Sequence, residues 1–177
     1  MSVPLFNTLA PCALADTAAT PTWEIFGATS TSFFVQSFGD GTDADKTWSA
    51  FAGVNRFLDA QWELGGNLSV RKLNSPDGDS SHIQATFGPT YNLSADSTNS
   101  FYGSVQVGFR LSTLPSTRSY NTLAYYLAIG KRISLAEHVS WSPEISYSGR
   151  TEGKNAGYTL PSTSAFGIVP FQIAVLF

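Results

Sequence analysis

The chain has 177 residues, about one domain's length, with 42% hydrophobic residues, 13% charged residues and a formal net charge of −3. So low a charged fraction, roughly half that of a usual soluble domain, excludes a charge-rich disordered chain and a charged coiled coil, and the acidic balance excludes a basic nucleic-acid binder. A single Cys, Cys12, excludes an internal disulfide, one Cys with two His does not make a Cys/His metal site, and no cofactor is expected.

Residues 1–21 stand apart from the rest. They hold no Lys or Arg, and Ala13-Leu14-Ala15 before Asp16 has the form of a signal cleavage site. The apolar stretch before it is short and broken by Pro4, Asn7 and Pro11, and Pro11 stands where a lipoprotein box needs a small residue before Cys12. From Thr22 onward hydrophobic period two dominates and helical period is nearly absent. Eight strands are predicted, over about 22–38, 47–57, 61–72, 82–92, 100–111, 121–133, 138–149 and 164–177. The first has a weak Ala-Thr-Ser-Thr-Ser middle, and the second puts Trp48, Ala50, Ala52 and Val54 on one face. In the third, Trp62, Leu64, Leu68 and Val70 alternate with Gln61, Glu63, Asn67, Ser69 and Arg71. In the fifth, Phe101, Val105, Val107, Phe109 and Leu111 alternate with Tyr102, Ser104, Gln106, Gly108 and Arg110. The seventh sets Val139, Trp141, Ile145 and Tyr147 against Ser140, Ser142, Glu144 and Ser146, and the eighth ends on Val169, Phe171, Ile173, Val175 and Phe177 at every second position. Connections near 58–60, 93–99 and 134–137 are compact, whereas those near 39–46, 74–81, 112–120 and 150–163 are longer and rich in Gly, Asp, Ser and Asn. This rhythm describes an up-and-down meander with two unlike ends.

Two cylinders fit eight alternating strands: a soluble carrier with the apolar face inward, and a membrane barrel with the apolar face outward. A wet outer surface is rich in Lys and Glu; here the polar face carries Ser, Thr, Gln and Gly, which suit a narrow filled interior. Trp23, Phe57, Trp62, Tyr91, Phe101, Trp141 and Phe177 fall at the short-turn ends, and Trp48, Tyr125, Tyr147 and Phe166 nearer the other, as two interfacial girdles would. The predicted fold is therefore all-β, an eight-stranded antiparallel up-and-down transmembrane β-barrel over 22–177. Strand one must pair with strand eight, because lipid tolerates no open edge. Pro89, Pro143 and Pro170 each lack a donor, and bulges or bends are expected there.

The inward charges are Glu24, Glu63, Arg71, Arg110, Arg132 and Glu144. Buried charges need partners, so a lumen network is expected that joins Glu63 and Glu144 to Arg110 and Arg132. Its role is to fill and bond the interior; an eight-strand lumen conducts only if such a network rearranges. The acidic turns Asp40-Gly41-Thr42-Asp43 and Asp77-Gly78-Asp79 suit weak Ca²⁺ binding or plain turn chemistry.

In its terminal Phe177 with apolar residues back to Val169, in the hairpin from Phe51 to Gly66, and in its short turns set against long loops, the chain resembles the small eight-stranded outer-membrane barrels of Gram-negative bacteria, the OmpA/OmpX type. The resemblance covers about residues 22–177. It implies an outer-membrane location, contact with outer-membrane lipids and lipopolysaccharide, and an assembly signal at Val169, Phe171, Ile173, Val175 and Phe177 read by the barrel-assembly machinery. Residues 1–21 are then a signal remnant or a periplasmic or lumenal extension. The expected function is non-enzymatic: envelope stabilisation and surface interaction, with an extracellular partner at four loops. The alternatives are a narrow channel for small solutes and a lipid A-modifying enzyme. For the last, His138-Val139-Ser140 with Glu152 matches the bare His-x-Ser spacing of the lipid A deacylases, though Trp141-Ser142 replaces the Asn-Ala that usually follows.

Overall fold

Alternating apolar and small polar residues give each segment two unlike faces, and such segments satisfy their backbone by pairing side by side. The computed structural model describes residues 22–38, 41–75, 78–115, 119–155 and 157–177, with backbone pairing alone over 29–38 and 41–46. The segment 1–21, Asp40 and Asp77 lie outside the described residues. In chain order the strands are Trp23–Phe38 (β1), Gly41–Phe57 (β2), Trp62–Asn74 (β3), Ser80–Asn92 (β4), Phe101–Thr113 (β5), Ser119–Lys131 (β6), Ile133–Ala136 (β7), Val139–Trp141 (β8), Glu144–Arg150 (β9), Gly153–Asn155 (β10), Tyr158–Leu160 (β11), Thr163–Val169 (β12) and Ile173–Leu176 (β13). Eleven of them form one antiparallel sheet in the order β12-β9-β6-β5-β4-β3-β2-β1-β13-β8-β7, and β10 and β11 make a separate hairpin. We call the end holding the connections 58–61, 93–100 and 137–138 the turn end, and the opposite one the loop end.

The structure differs from eight continuous strands because three points interrupt the ladder. Arg132 separates β6 from β7 without changing register: Gly130 pairs with Glu144 and, three residues on, Ile133 pairs with Trp141. Ser142 and Pro143 separate β8 from β9. Between β12 and β13, Val169 pairs with Glu144 but Ile173 with Trp141, four residues against three, so Pro170–Gln172 carries one extra residue, a bulge. The freed groups are caught locally: Lys131 N donates to Pro143 O (3.1 Å), Ser142 N to Gln172 O (2.8 Å) and Trp141 Nε1 to Pro170 O (2.6 Å). Pro89 behaves differently, since β4 runs through it while Gly88 and Pro89 drop out of the ladder to β5 with no slip. At the loop end β2 begins at Gly41, six residues before the predicted start, so extended chain replaces part of the expected loop.

The direction of the side chains follows the alternation. Phe171 is 76% exposed and Ile173 45%, while Glu144 is 6% exposed. Along β5, Phe101, Val105, Val107, Phe109 and Leu111 face out and Tyr102, Ser104, Gln106 and Ser112 face in. Trp23, Trp62 and Tyr91 lie outside near the turn end, with Arg56 over the Trp23 ring (5.7 Å) and Lys131 over Phe101 (4.4 Å). Trp141 is half-buried there, and Trp48 is exposed toward the loop end, opposite Lys72. Phe57 is the exception to the expected girdle: it sits on the inward parity of β2 and is buried. The interior is thus largely polar, and the apolar surface is outside.

Candidate functional site

Seven elements each contribute one inward side chain to a cluster at the turn end: Glu24 (β1), Asn55 (β2), Glu63 (β3), Asn92 (β4), Tyr102 (β5), Tyr126 (β6) and Glu144 (β9). Arg132, in the break after β6, supplies the cation and is held there by its own N–H, which donates to Ser100 O (2.8 Å). Its guanidinium grips Glu24 with two bonds, Nε to Oε1 (2.8 Å) and Nη2 to Oε2 (2.7 Å). Nη2 also reaches Glu63 (3.0 Å), Nη1 donates to Asn92 Oδ1, and the guanidinium lies 4.8 Å from the centre of the Tyr102 ring. Asn55 Nδ2 donates to both carboxylates, Glu24 (3.0 Å) and Glu63 (2.8 Å), and Asn92 Nδ2 donates to Glu63 Oε1 (2.5 Å). Glu144 accepts from the Tyr102 hydroxyl (2.9 Å) and from that of Tyr126. Glu24, Glu63 and Arg132 are fully buried.

Burial on this scale is tolerated because the charges are paired and forked; a planar guanidinium meets a carboxylate at two points. Two glycines make room for it. A methyl group on Gly130 would overlap the Tyr102 ring, and one on Gly65 would overlap the Asn55 side chain. Above the cluster the lumen is filled by neutral side chains: Gln106 Oε1 accepts from Asn67 (2.8 Å) and Thr86 (2.8 Å), and Ser104 accepts from Thr90 (3.0 Å) and Gln106 (3.3 Å). The space left between Glu24, Tyr102, Gln106, Arg132 and Glu144 is about 20 Å³, room for about one water molecule.

The predicted charges therefore divide between two places. Glu24, Glu63 and Arg132 meet directly, and Glu144 adjoins them through Tyr102. Arg110 and Arg71 do not join them; they line a separate cavity toward the loop end, where Arg110 Nε donates to Gln84 (2.8 Å). Asn55, Asn92, Tyr102 and Tyr126 complete the cluster but are absent from the predicted set of charges. Their signal was the parity itself, since each stands on an inward face, Asn55, Asn92 and Tyr102 within a few residues of a short turn and Tyr126 farther along β6. His138, Ser140 and Glu152 are not brought together. His138 is exposed in the turn between β7 and β8, Ser140 is buried and donates to Thr98 O (3.0 Å), and Glu152 pairs with Lys154 (3.3 Å) beyond β9. Among the described residues no group of three or more His, Cys, Asp and Glu is arranged to hold a metal.

No family model matches the chain, and no curated protein matches it. Among solved structures it is similar to "OmpT (in-vitro folded), an outer membrane protein of Vibrio cholerae", at 10% identity and a TM-score of 0.40 over 88% of this chain and 52% of that one. The trimer form of the same protein gives 11% identity and a TM-score of 0.31 over 85% of this chain and 56% of that one. The chain thus spans about half the length of the structures it matches. One expectation is corrected here. The sequence reading expects a non-enzymatic protein, with a lipid A-modifying enzyme only as an alternative, and the outer-membrane proteins found as neighbours give that expectation no support.

Proposed function

We propose that the chain is an integral outer-membrane β-barrel with eight crossings, related in architecture to the small OmpA/OmpX-type barrels, whose lumen is closed to free solute passage. The observation that carries the proposal is the sidedness: exposed Phe171, Ile173, Val107 and Ile129 outside, with Glu24, Glu63, Arg132 and Glu144 sealed within. A water-soluble cylinder with this surface would expose a large apolar area for no return, whereas lipid requires it. The count of eight follows from reading β6 with β7, β8 with β9, and β12 with β13 as single crossings. The turn end then forms a ring, because β13 pairs with β8 on one side and with β1 on the other, Glu24 opposite Leu176 through Gly27 opposite Ile173.

A closed lumen is supported by the ion-paired turn-end cluster and the packed side chains above it, which leave about 20 Å³ between them. In this reading the barrel anchors in the envelope, contacts outer-membrane lipid and lipopolysaccharide with its outer face, and offers its loop-end connections to an extracellular partner. Val169, Phe171, Ile173, Val175 and Phe177 are the strip that the barrel-assembly machinery would read. Two measurements test the proposal. The folded chain is expected to migrate faster on a gel unboiled than boiled, and to give no stable openings in planar bilayers. A chain soluble without detergent, with no shift on boiling, would defeat the barrel; reproducible conductance would defeat the closed lumen.

A further inference from the structure

Among the residues whose side chains are described, the cavity in the inner wall toward the loop end is lined by three arginines and no acid. Register sets them on alternate strands of the sheet, β3, β5 and β9: Arg71 pairs with His82 of β4, Gln84 of β4 with Arg110, and Arg150 lies between Ala124 of β6 and Thr163 of β12. Together with Ser69 and Ser148 they line a cavity of about 430 Å³, within the range of small-ligand sites, roughly 300–1,000 Å³. Among the described residues no Asp or Glu lines this cavity, and none pairs with Arg71, Arg110 or Arg150.

Arg150 is 8% exposed, and its Nη1 is buried without a hydrogen-bond partner. Nearby His82 Nδ1 and Ser112 Oγ, at paired positions of β4 and β5, are also buried without one. A buried guanidinium nitrogen with no acceptor is costly, and guanidiniums sharing one cavity repel. Both costs are relieved by the same thing, a compact anion with several acceptor oxygens. Arginine forks match phosphate geometry, and a concave wall of one charge sign concentrates such ions.

We propose that this cavity binds a phosphate group, carried by a small solute or by a lipid headgroup, between Arg71, Arg110 and Arg150. The inference takes the inward face from the barrel reading above, and one sample separates the two. The full chain, folded in neutral detergent, is titrated in a calorimeter with inorganic phosphate and, separately, with micelles containing a phosphomonoester lipid; chloride is the comparator, and boiling shift on a gel checks folding. Saturable binding in either arm, weakened about tenfold or more by Arg150→Gln or Arg110→Gln and unchanged by Lys154→Gln, is the expected result. The arm that responds identifies the source of the phosphate. If Arg150→Gln does not fold, Arg71→Gln serves, because Arg71 is exposed at the cavity edge. No saturable binding by a chain that shifts on boiling, or binding indifferent to all three arginines, overturns the inference. A chain that shows no shift instead defeats the barrel itself.

Discussion

At the turn end one guanidinium, Arg132, is bonded to Glu24, Glu63 and Asn92 and covered by Tyr102; at the loop end Arg71, Arg110 and Arg150 share a cavity in which Arg110 donates to Gln84. The strands between the two ends are the same, so the contrast lies in what each strand places on its inward face at each height. Near the turns, carboxylates, amides and phenols converge and saturate one cation. Near the loops, cations converge with no acid among the described side chains that line their cavity. The first arrangement is suited to holding the wall together, and the second to holding something else.

The sharpest way to break this comparison is at Arg132. Arg132→Met leaves Glu24 and Glu63 buried side by side without their cation, and we expect a loss of about 3–5 kcal/mol in denaturant unfolding from micelles. Adding Glu24→Gln and Glu63→Gln to that variant should restore much of the loss, since the penalty is that of unpaired charge. Next in size is Gly130→Ala, which drives a methyl into the Tyr102 ring and should cost about 1–3 kcal/mol; Tyr102→Ala in the same chain should remove the clash. Ser140→Ala deletes the bond to Thr98 O and should cost about 1 kcal/mol, read as a lower unfolding midpoint.

The loop end should respond with the opposite sign. With no anion present, Arg110→Gln should leave the midpoint unchanged or raise it, because it removes a like charge from the cavity. The smallest effect belongs to the turn between β2 and β3. There Asp59 Oδ1 accepts from the N–H groups of Gln61 (2.7 Å) and Trp62 (2.7 Å), which holds its pKa below the ordinary carboxylate value. A lowered folded-state value means that its stabilisation is full above the unfolded-state value and fades as pH falls through the folded one. Asp59→Asn should therefore lower stability slightly in the neutral range, flatten the small acid-side slope, and leave stability below the folded-state value nearly unaltered.

Much of this architecture was legible from alternation. Strand ends at 38, 57, 92 and 131 fall within two residues of the predicted ones, and the parity that sets Phe101 outward and Tyr102 inward is the one observed. The grouping of the charges was not legible, for a reason of height. Arg110 stands nine residues from Phe101, and at about 3.3 Å per residue that is roughly 30 Å along β5 from the turn end, so it cannot meet Glu63. Parity assigns a face but not a level, and partners across a tilted lumen depend on the level. Arg150 was missed because its segment reads as a Gly-rich loop, whereas the even positions Glu144, Ser146, Ser148 and Arg150 continue one inner face. The Pro170 bulge shows the same limit: a missing donor marks the place of an irregularity, not whether the register slips, as it does there and does not at Pro89.

The four residue pairs between β1 and β13 also bear on how the molecule comes into being. They bring together chain positions about as far apart as its length allows, with Thr22 and Phe177 bonded across 155 positions and Arg132 reaching Glu24 across 108. Contacts so remote are entropically expensive and arrive late. Until the seam zips, Arg132 lacks its forked partner, so the last step of folding both shuts the cylinder and dries its ions. Such a coupling disfavours half-closed intermediates and makes departure from the finished state as slow as prising apart the seam and the ion cluster at once.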